Sequence, residues 1–369
     1  RFKNKRINFF RFEDLAEHLS KHDWEAVRQP YPRMRNKDQR KTIWLNVPKG
    51  DDPISFFNLM WNSEILQHLI QKTNSGVSQE YKISLSEVKK YFGQLMIMQA
   101  CQVVDVRDLW RTTPFEINYP GKQNGLPRHR WIWMNSHWQF NRETLADKMR
   151  TTFQKHAIPS SYVTVNEARI PSHAYGTGEL TFNPLKPKRW ALELCTVNDQ
   201  SKYLYDFTLP KTKTPFQALI HFGTKLSKLG VPIHITADTH FSNLEQLQKL
   251  QQLKLHCTLA CSRNSAPAYL FKQGLAKGLP FLRTRMARTR NKIAACYHRS
   301  KFVCLLSTWF QIESLPKADT KERAGLLTHY DDTKRFCDQF NQLVATYHFN
   351  HKHQNIEHTL LIGLFEFAV

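Results

Sequence analysis

Long apolar runs are missing from this chain. No stretch approaches the roughly 18 apolar residues that a membrane-spanning helix needs, so a span is not expected. The N-terminus carries no signal-peptide core, so secretion is not expected either. Clustered cysteines are equally scarce. The seven Cys are dispersed at positions 101, 195, 257, 261, 296, 304 and 337, an odd set that reads as reduced thiols of the cytosol or nucleus. Only Cys257 and Cys261 stand close together, and no second pair follows at zinc-ribbon spacing, which argues against structural zinc. Acidic residues are in short supply too: 31 Asp and Glu face 53 Lys and Arg, a formal charge of +22. Such a field exceeds what solubility requires and attracts polyanions, with nucleic acid favoured over an anionic membrane. There is no internal repeat. The chain opens on Arg1 rather than Met, as a fragment or processed product does.

What is present is a large apolar complement. Hydrophobic residues make up 41% of the 369, including 24 Phe and 9 Trp, which marks a globular chain with room for two or three structural units. The first 52 residues are polar and basic. From Pro53 the spacing turns helical, with a break at Asn62–Ser63 where Ser63 is the expected N-cap. Ser84 and Glu87 form a capping box that opens a helix over 84–102, and a third helical stretch surrounds 141–157. Then the period changes. "YVTVNEARI", "RWALELCTVND", "SKYLYDFTL" and "VPIHITAD" read as strands, with a hairpin turn at Asn198–Asp199 and a helix ending at Gly230. The alternation of strands, hairpin and helix predicts a mixed α/β sheet. Residues 261–327 look less regular and strongly basic, although 296–308 reads as a strand or hairpin arm. An amphipathic helix follows from Asp331, with Phe336, Phe340, Leu343, Val344 and Tyr347 on its apolar face.

Few residues in this pattern invite chemistry. Asp238 falls where a strand ends, so its carboxylate can meet a ligand while its backbone stays in the sheet; a turn or N-cap role is the ordinary alternative. Asp338 alone would be a solvated helix residue, and Asn166 alone a strand-end residue. Their order along the chain matches a ribonuclease-H-like nuclease core, in which carboxylates from a first strand, a later strand and a following helix meet at two divalent cations. The basic stretch "RTRMARTRNK", with Arg283, Arg285, Arg288, Arg290 and Lys292, suits phosphate contact or a nuclear import signal, or is simply a solvated loop. "LKPKRW", with Lys186, Lys188 and Arg189, joins charge to an indole, a mix suited to backbone contact with stacking. His351 and His353 belong to a polar connection rather than a metal site.

In seven ordered stretches the chain resembles a piggyBac-type DDE transposase. These are "PISFFNLMWNSEILQHLIQKTN", "VTVNEARIP", "FNPLKPKRWALEL", "ITADTHFSNLEQL", "HRSKFVCLLST", "YDDTKRFCDQFNQLVATY" and "TLLIGLFEF". Composition sets off a basic segment at 1–52, and from there the resemblance implies a helical dimerisation or DNA-binding domain at 53–158. It implies a ribonuclease-H-like core at 159–260, a basic insertion at 261–328, the third-carboxylate helix at 329–348, and a C-terminal helix at 349–369. It also implies Mg2+ or Mn2+ as the metal, duplex DNA as partner, a homodimer and a nuclear location. The family's cysteine-rich zinc module does not occur in these residues.

Carried over residue by residue, the triad falls on Asn166, Asp238 and Asp338, and an accessory Asp of the family falls on Asn341. Two of the four acidic positions are therefore amides here. An amide oxygen can still meet a cation but brings no charge, and Glu167 is expected to face the opposite side of the sheet. Loss of one anion 2–3 Å from a cation costs on the order of several kcal/mol, about tenfold in rate for each 1.36. The expectation is a DNA-binding protein of transposase descent with DNA cleavage lost or reduced. The alternatives are an active metal-dependent nuclease that tolerates Asn, and a protein-interaction scaffold.

Overall fold

The computed structural model describes residues 40–48, 52–103, 105–111, 124–261, 279, 281–282, 284–288, 292–308, 325–349 and 355–368. A two-residue strand, β1 (Ile43–Trp44), leads into helices α1 (Pro53–Met60), α2 (Ser63–Ser75), α3 (Leu85–Ala100), α4 (Arg128–His137) and α5 (Arg142–His156). Side chains set the starts of these helices. The Ser84–Glu87 capping box is present at α3, and Asn141 caps α5. At α2 the cap is Asn62 rather than the expected Ser63, because the Asn62 amide oxygen reaches the Ile65 N–H at 3.1 Å.

The sheet elements follow: β2 (Ala157–Ile158), β3 (Tyr162–Pro171), β4 (Thr181–Phe182), β5 (Trp190–Asp199), β6 (Leu204–Phe207), α6 (Pro215–Ser227), β7 (His234–Ala237), α7 (Leu244–Gln252) and β8 (His256–Cys261). The chain continues with β9 (Thr284–Arg288), β10 (Ile293–His298), β11 (Phe302–Ser307), α8 (Gly325–Thr346) and α9 (Ile356–Ala368). Strand order in the main sheet is β4-β5-β3-β7-β8-β11-β10-β9, with β6 also paired to β5. Strands β3, β7 and β8 run parallel, and β5 is antiparallel to β3. The mixed α/β sheet expected from the sequence is thus present.

Three local expectations are corrected. Asn198 and Asp199 end β5, and the hairpin turn lies just beyond them at residues 200–201: Asp199 is fully buried, accepts the Ser160 N–H from outside the hairpin and opens the turn by accepting the Ser201 N–H. Part of 261–327 is regular, since β9, β10 and β11 extend the same sheet beyond β8. Helix α8 begins at Gly325, because Leu326, Leu327 and Tyr330 bury against Ile293, Ala295 and Leu305 of β10 and β11. Its buried stripe also differs from the expected one. Thr333, Cys337 and Phe340 face inward, while Leu343 and Tyr347 are 50% and 58% exposed.

Each face of β3 belongs to a different core. Val163 and Val165 pack with Ala218, Phe222, Leu247 and Leu250 of α6 and α7. Ala168 and Ile170 join the other core, which contains Trp61, Phe92 and Phe153 of the helical half and Leu361 and Phe365 of α9. At Gly363 of α9 a Cβ would fall inside the van der Waals envelope of Ile170, so α9 lies on β3 with no room to spare. Gly363→Ala gains up to about 1 kcal/mol of helix propensity but is expected to lose about 1–3 kcal/mol to overpacking. Urea denaturation should show a net loss. Combining it with Ile170→Ala should cost less than the sum of the two single changes, because one fills the space the other vacates.

Candidate functional site

Two hydroxyl contacts fix where α8 crosses the sheet. Thr236 and Thr333 share a 2.8 Å Oγ1–Oγ1 hydrogen bond, and the Thr164 hydroxyl donates to the Thr333 carbonyl at 2.6 Å. One turn further, the Cys337 thiol lies 3.4 Å from the Thr164 carbonyl and 3.0 Å from Asn198 Oδ1. Small side chains on both partners let the helix lie directly on β3 and β7.

Asn166 and Asp238 each stand two residues beyond these threonines, about 7 Å along their strands. The parallel register, in which Val165 is paired with Ala237, places them side by side at the carboxyl end of β7. Asp338 stands five residues beyond Thr333, about 7.5 Å along α8, so it arrives at the same level. It also follows Leu327 by eleven residues, three turns, and therefore shares the helix flank directed toward β10 and β11, on the β7 side. Both carboxylates lie within electrostatic reach of Tyr330, whose hydroxyl is driven up chiefly by burial and further by Asp238, Asp331 and Asp338. Asp338 is exposed, whereas Asp238 and Asn166 are half-buried, so this rim opens to solvent.

Local bonding explains each conformation. Asp238 does not cap α7, which Asn243 does; instead its Oδ1 accepts the His240 N–H at 2.9 Å, turning the chain out of the sheet. Asn166 Oδ1 accepts the Glu167 N–H at 2.9 Å. Asn341 donates from Nδ2 to the Glu167 carbonyl at 3.2 Å, so this amide holds α8 to β3 in a way a carboxylate could not.

Glu167 modifies one sequence-based expectation. It occupies the other face of β3, as alternation requires, yet its carboxylate remains close to Asp238. Burial and then the Asp238 charge hold its pKa above the usual carboxylate range. The imidazole of His240 makes a short Nδ1 contact to Glu167 Oε1. Burial pulls the His240 pKa down, but the Glu167 hydrogen bond and the surrounding carboxylates outweigh it and hold the pKa above its ordinary value. Glu193 completes this cluster: one ligand atom from each of Glu167, Glu193 and His240 lies within 4.8 Å of the others. Sequence reasoning missed Glu193 and His240, since the first is placed by the β3–β5 register and the second by the β3–β7 register and the turn at Asp238.

The basic segments separate. Lys186, Lys188 and Arg189 are all exposed in the loop between β4 and β5, which is closed by a 2.8 Å bond from the Asn183 N–H to the Arg189 carbonyl. Next to them, Trp190 packs on Phe182 and Tyr175 with ring centroids 4.9 and 5.8 Å apart, and all three rings are at least 40% exposed. In the second segment, Arg283 and Arg290 lie outside the described residues. Arg285 and Arg288 are on β9, the last strand in the sheet order among the described residues. Lys292 is half-buried, and burial lowers its pKa, which suits phosphate contact less well. His351 and His353 lie outside the described residues. Cys257 and Cys261 are buried thiols, each pushed up to about 12 by burial, and the metal-capable group found among the described residues does not include them. No helix among the described residues is long and apolar enough to cross a membrane.

A central order β6-β5-β3-β7-β8, with β5 alone reversed against β3 and a helix carrying Asp338 laid across β3 and β7, defines a ribonuclease-H-like DDE core. The model of the family described as Transposase IS4, DDE_Tnp_1_7, matches residues 52–369, and the chain belongs to this piggyBac-type transposase family. A search of the curated proteins gave no match. Among solved structures, the chain is similar to one described as the cryo-EM structure of a piggyBac transposase synaptic complex with hairpin DNA. The TM-score is 0.72 at 17% identity, covering 89% of this chain and 75% of that one.

Proposed function

We propose that the protein is a DNA-binding member of this family whose two-metal centre is one anion short. The observation that carries this reading is Asn166, which stands level with Asp238 on the face of the sheet covered by α8. The donors present, two carboxylates and an amide oxygen, are hard oxygens and fit Mg2+ or Mn2+ in kind. They fall short in charge. Asp238 and Asp338 would hold the ions, with Asn166 offering only its amide oxygen. When bound, such ions activate water and stabilise the leaving oxygen of a phosphodiester.

DNA binding needs neither the ions nor cleavage. The β3–β5 arm continues past the end of β7, and its Lys186–Trp190 loop sits five strand residues, about 17 Å, beyond the level of Asn166. A duplex lying along the arm would touch both, and three cations beside exposed rings suit phosphate contact with stacking.

Filter binding to duplex DNA in EDTA tests this reading. Log affinity should fall linearly with log salt. Lys186→Ala, Lys188→Ala and Arg189→Ala together should reduce the steepness of that line by up to about 2.7, at roughly 0.9 for each phosphate no longer neutralised. Failure of the unaltered protein to bind duplex DNA at low salt would end the proposal.

A further inference from the structure

We propose that Glu167, Glu193 and His240 form a site for one divalent transition-metal ion of the imidazole-accepting kind, such as Zn2+, on the face of the sheet opposite α8. This site adjoins the Asn166–Asp238–Asp338 rim through Asp238, which accepts the His240 N–H, but its three ligands are other residues and it does not depend on how that rim is read.

The site follows from where β7 stops. Up to Val165, β3 is flanked by β5 on one side and β7 on the other. Beyond it β7 has ended, and the turn set by Asp238 Oδ1 on the His240 N–H, with the Phe241 N–H and Ser242 hydroxyl on the Asp238 carbonyl, places His240 beside the open flank of β3. Glu167 pairs with Cys195 and Arg169 with Glu193, so the two glutamates are diagonal neighbours on one face of an antiparallel pair, within reach of long side chains. Three separate segments thereby deliver one imidazole and two carboxylates to one place.

Their spacing fits a shared ion. Nitrogen and oxygen ligands bind Zn2+ at about 2.0–2.2 Å, so two ligands of one ion stand at most about 4.4 Å apart. The three ligand atoms lie within 4.8 Å of one another, and His240 and Glu167, which touch directly, would have to part to admit an ion between them. Two carboxylates and a neutral imidazole balance the charge of a divalent ion. They make up a three-ligand set that leaves a further position for water or a phosphate oxygen. The ligands are also oriented from outside. Arg169 donates from Nη1 to Glu193 Oε2 at 3.0 Å and from Nη2 to the Thr181 and Arg189 carbonyls, tying the site to the basic loop. A carboxylate has lone pairs enough to serve both Arg169 and an ion. Glu167 is only 18% exposed, so its charge is poorly solvated and calls for a counter-ion. The competing account is that protonated His240 alone supplies it.

Titration of the EDTA-stripped full chain with Co2+ separates the two accounts. The expected result is one equivalent of a visible d–d absorption band of low-symmetry Co2+, displaced by Zn2+. His240→Gln and Glu193→Gln should each weaken that band's affinity by about tenfold or more, since even the loss of an outer-shell partner costs 10–100-fold. Asp338→Asn, altered on the opposite face, should retain it. Circular dichroism identifies any variant that fails to fold, and because the two Gln variants lie on different segments, either suffices. No band in the unaltered chain would overturn the proposal. A band that survives in both Gln variants but disappears in Asp338→Asn would do so equally.

Discussion

Asn166→Asp combined with Asn341→Asp is expected to raise Mg2+- or Mn2+-dependent nicking of duplex DNA about a hundredfold or more over the unaltered chain. Two unit charges about 4 Å apart interact by about 4 kcal/mol at an effective dielectric constant near 20, a divalent ion doubles this, and each 1.36 kcal/mol realised in the transition state is tenfold in rate. The two changes should not contribute equally. Asn166 uses its amide oxygen for the adjacent Glu167 N–H, a bond that a carboxylate can also accept. Asn341 donates to the Glu167 carbonyl, and an Asp there sets two acceptors against each other until an ion intervenes. The single Asn341→Asp variant is therefore expected to lose about 1–3 kcal/mol of stability in EDTA, and most of the gain in nicking should come from Asn166→Asp. A gel assay with supercoiled plasmid reads both. Robust nicking by the unaltered chain, or none by the double variant, would refute the missing-anion account in opposite ways.

The second large effect concerns the connection between the two halves of the chain. Phe365 of α9 is fully buried, stacked on Phe92 of α3 at 4.8 Å and lying 5.6 Å from Trp61. Residues more than 270 positions apart thus share one aromatic cluster, on the same helix whose Gly363 rests on β3. Phe365→Ala should cost about 3–5 kcal/mol, combining the lost transfer energy with an unfilled cavity. Urea unfolding followed by tryptophan fluorescence would measure it, since Trp61 and Trp138 line the cluster. A loss below about 1 kcal/mol would show that α9 does not hold the helical half to the sheet.

Features governed by neighbours in the chain were legible in advance. The Ser84–Glu87 capping box, the switch from helical to alternating spacing before Tyr162 and the stop near Gly230 each depend on a few adjacent residues. Where distant partners compete, local reading failed. Asp199 looked like a turn residue because Asn-Asp favours turns; it does open the turn, bonding to the Ser201 N–H, but the buried Ser160 N–H holds its carboxylate within the end of β5. The large side chains at 336, 343 and 347 suggested the wrong buried face of α8. The sheet instead selects Thr333 and Cys337, which are small enough for close approach and able to bond to it.

The candidate site divides in the same way. Sequence alone determined the charge excess, the identities at 166, 238, 338 and 341, and the family to which their order points, because these are properties of residue type and spacing. Only the tertiary structure decided that Asn166 and Asp238 stand level on the face that α8 covers, and that Glu167 is joined on the opposite face by Glu193 and His240. Strand register is set by packing summed over the whole sheet, and a shift of one residue would exchange the two faces.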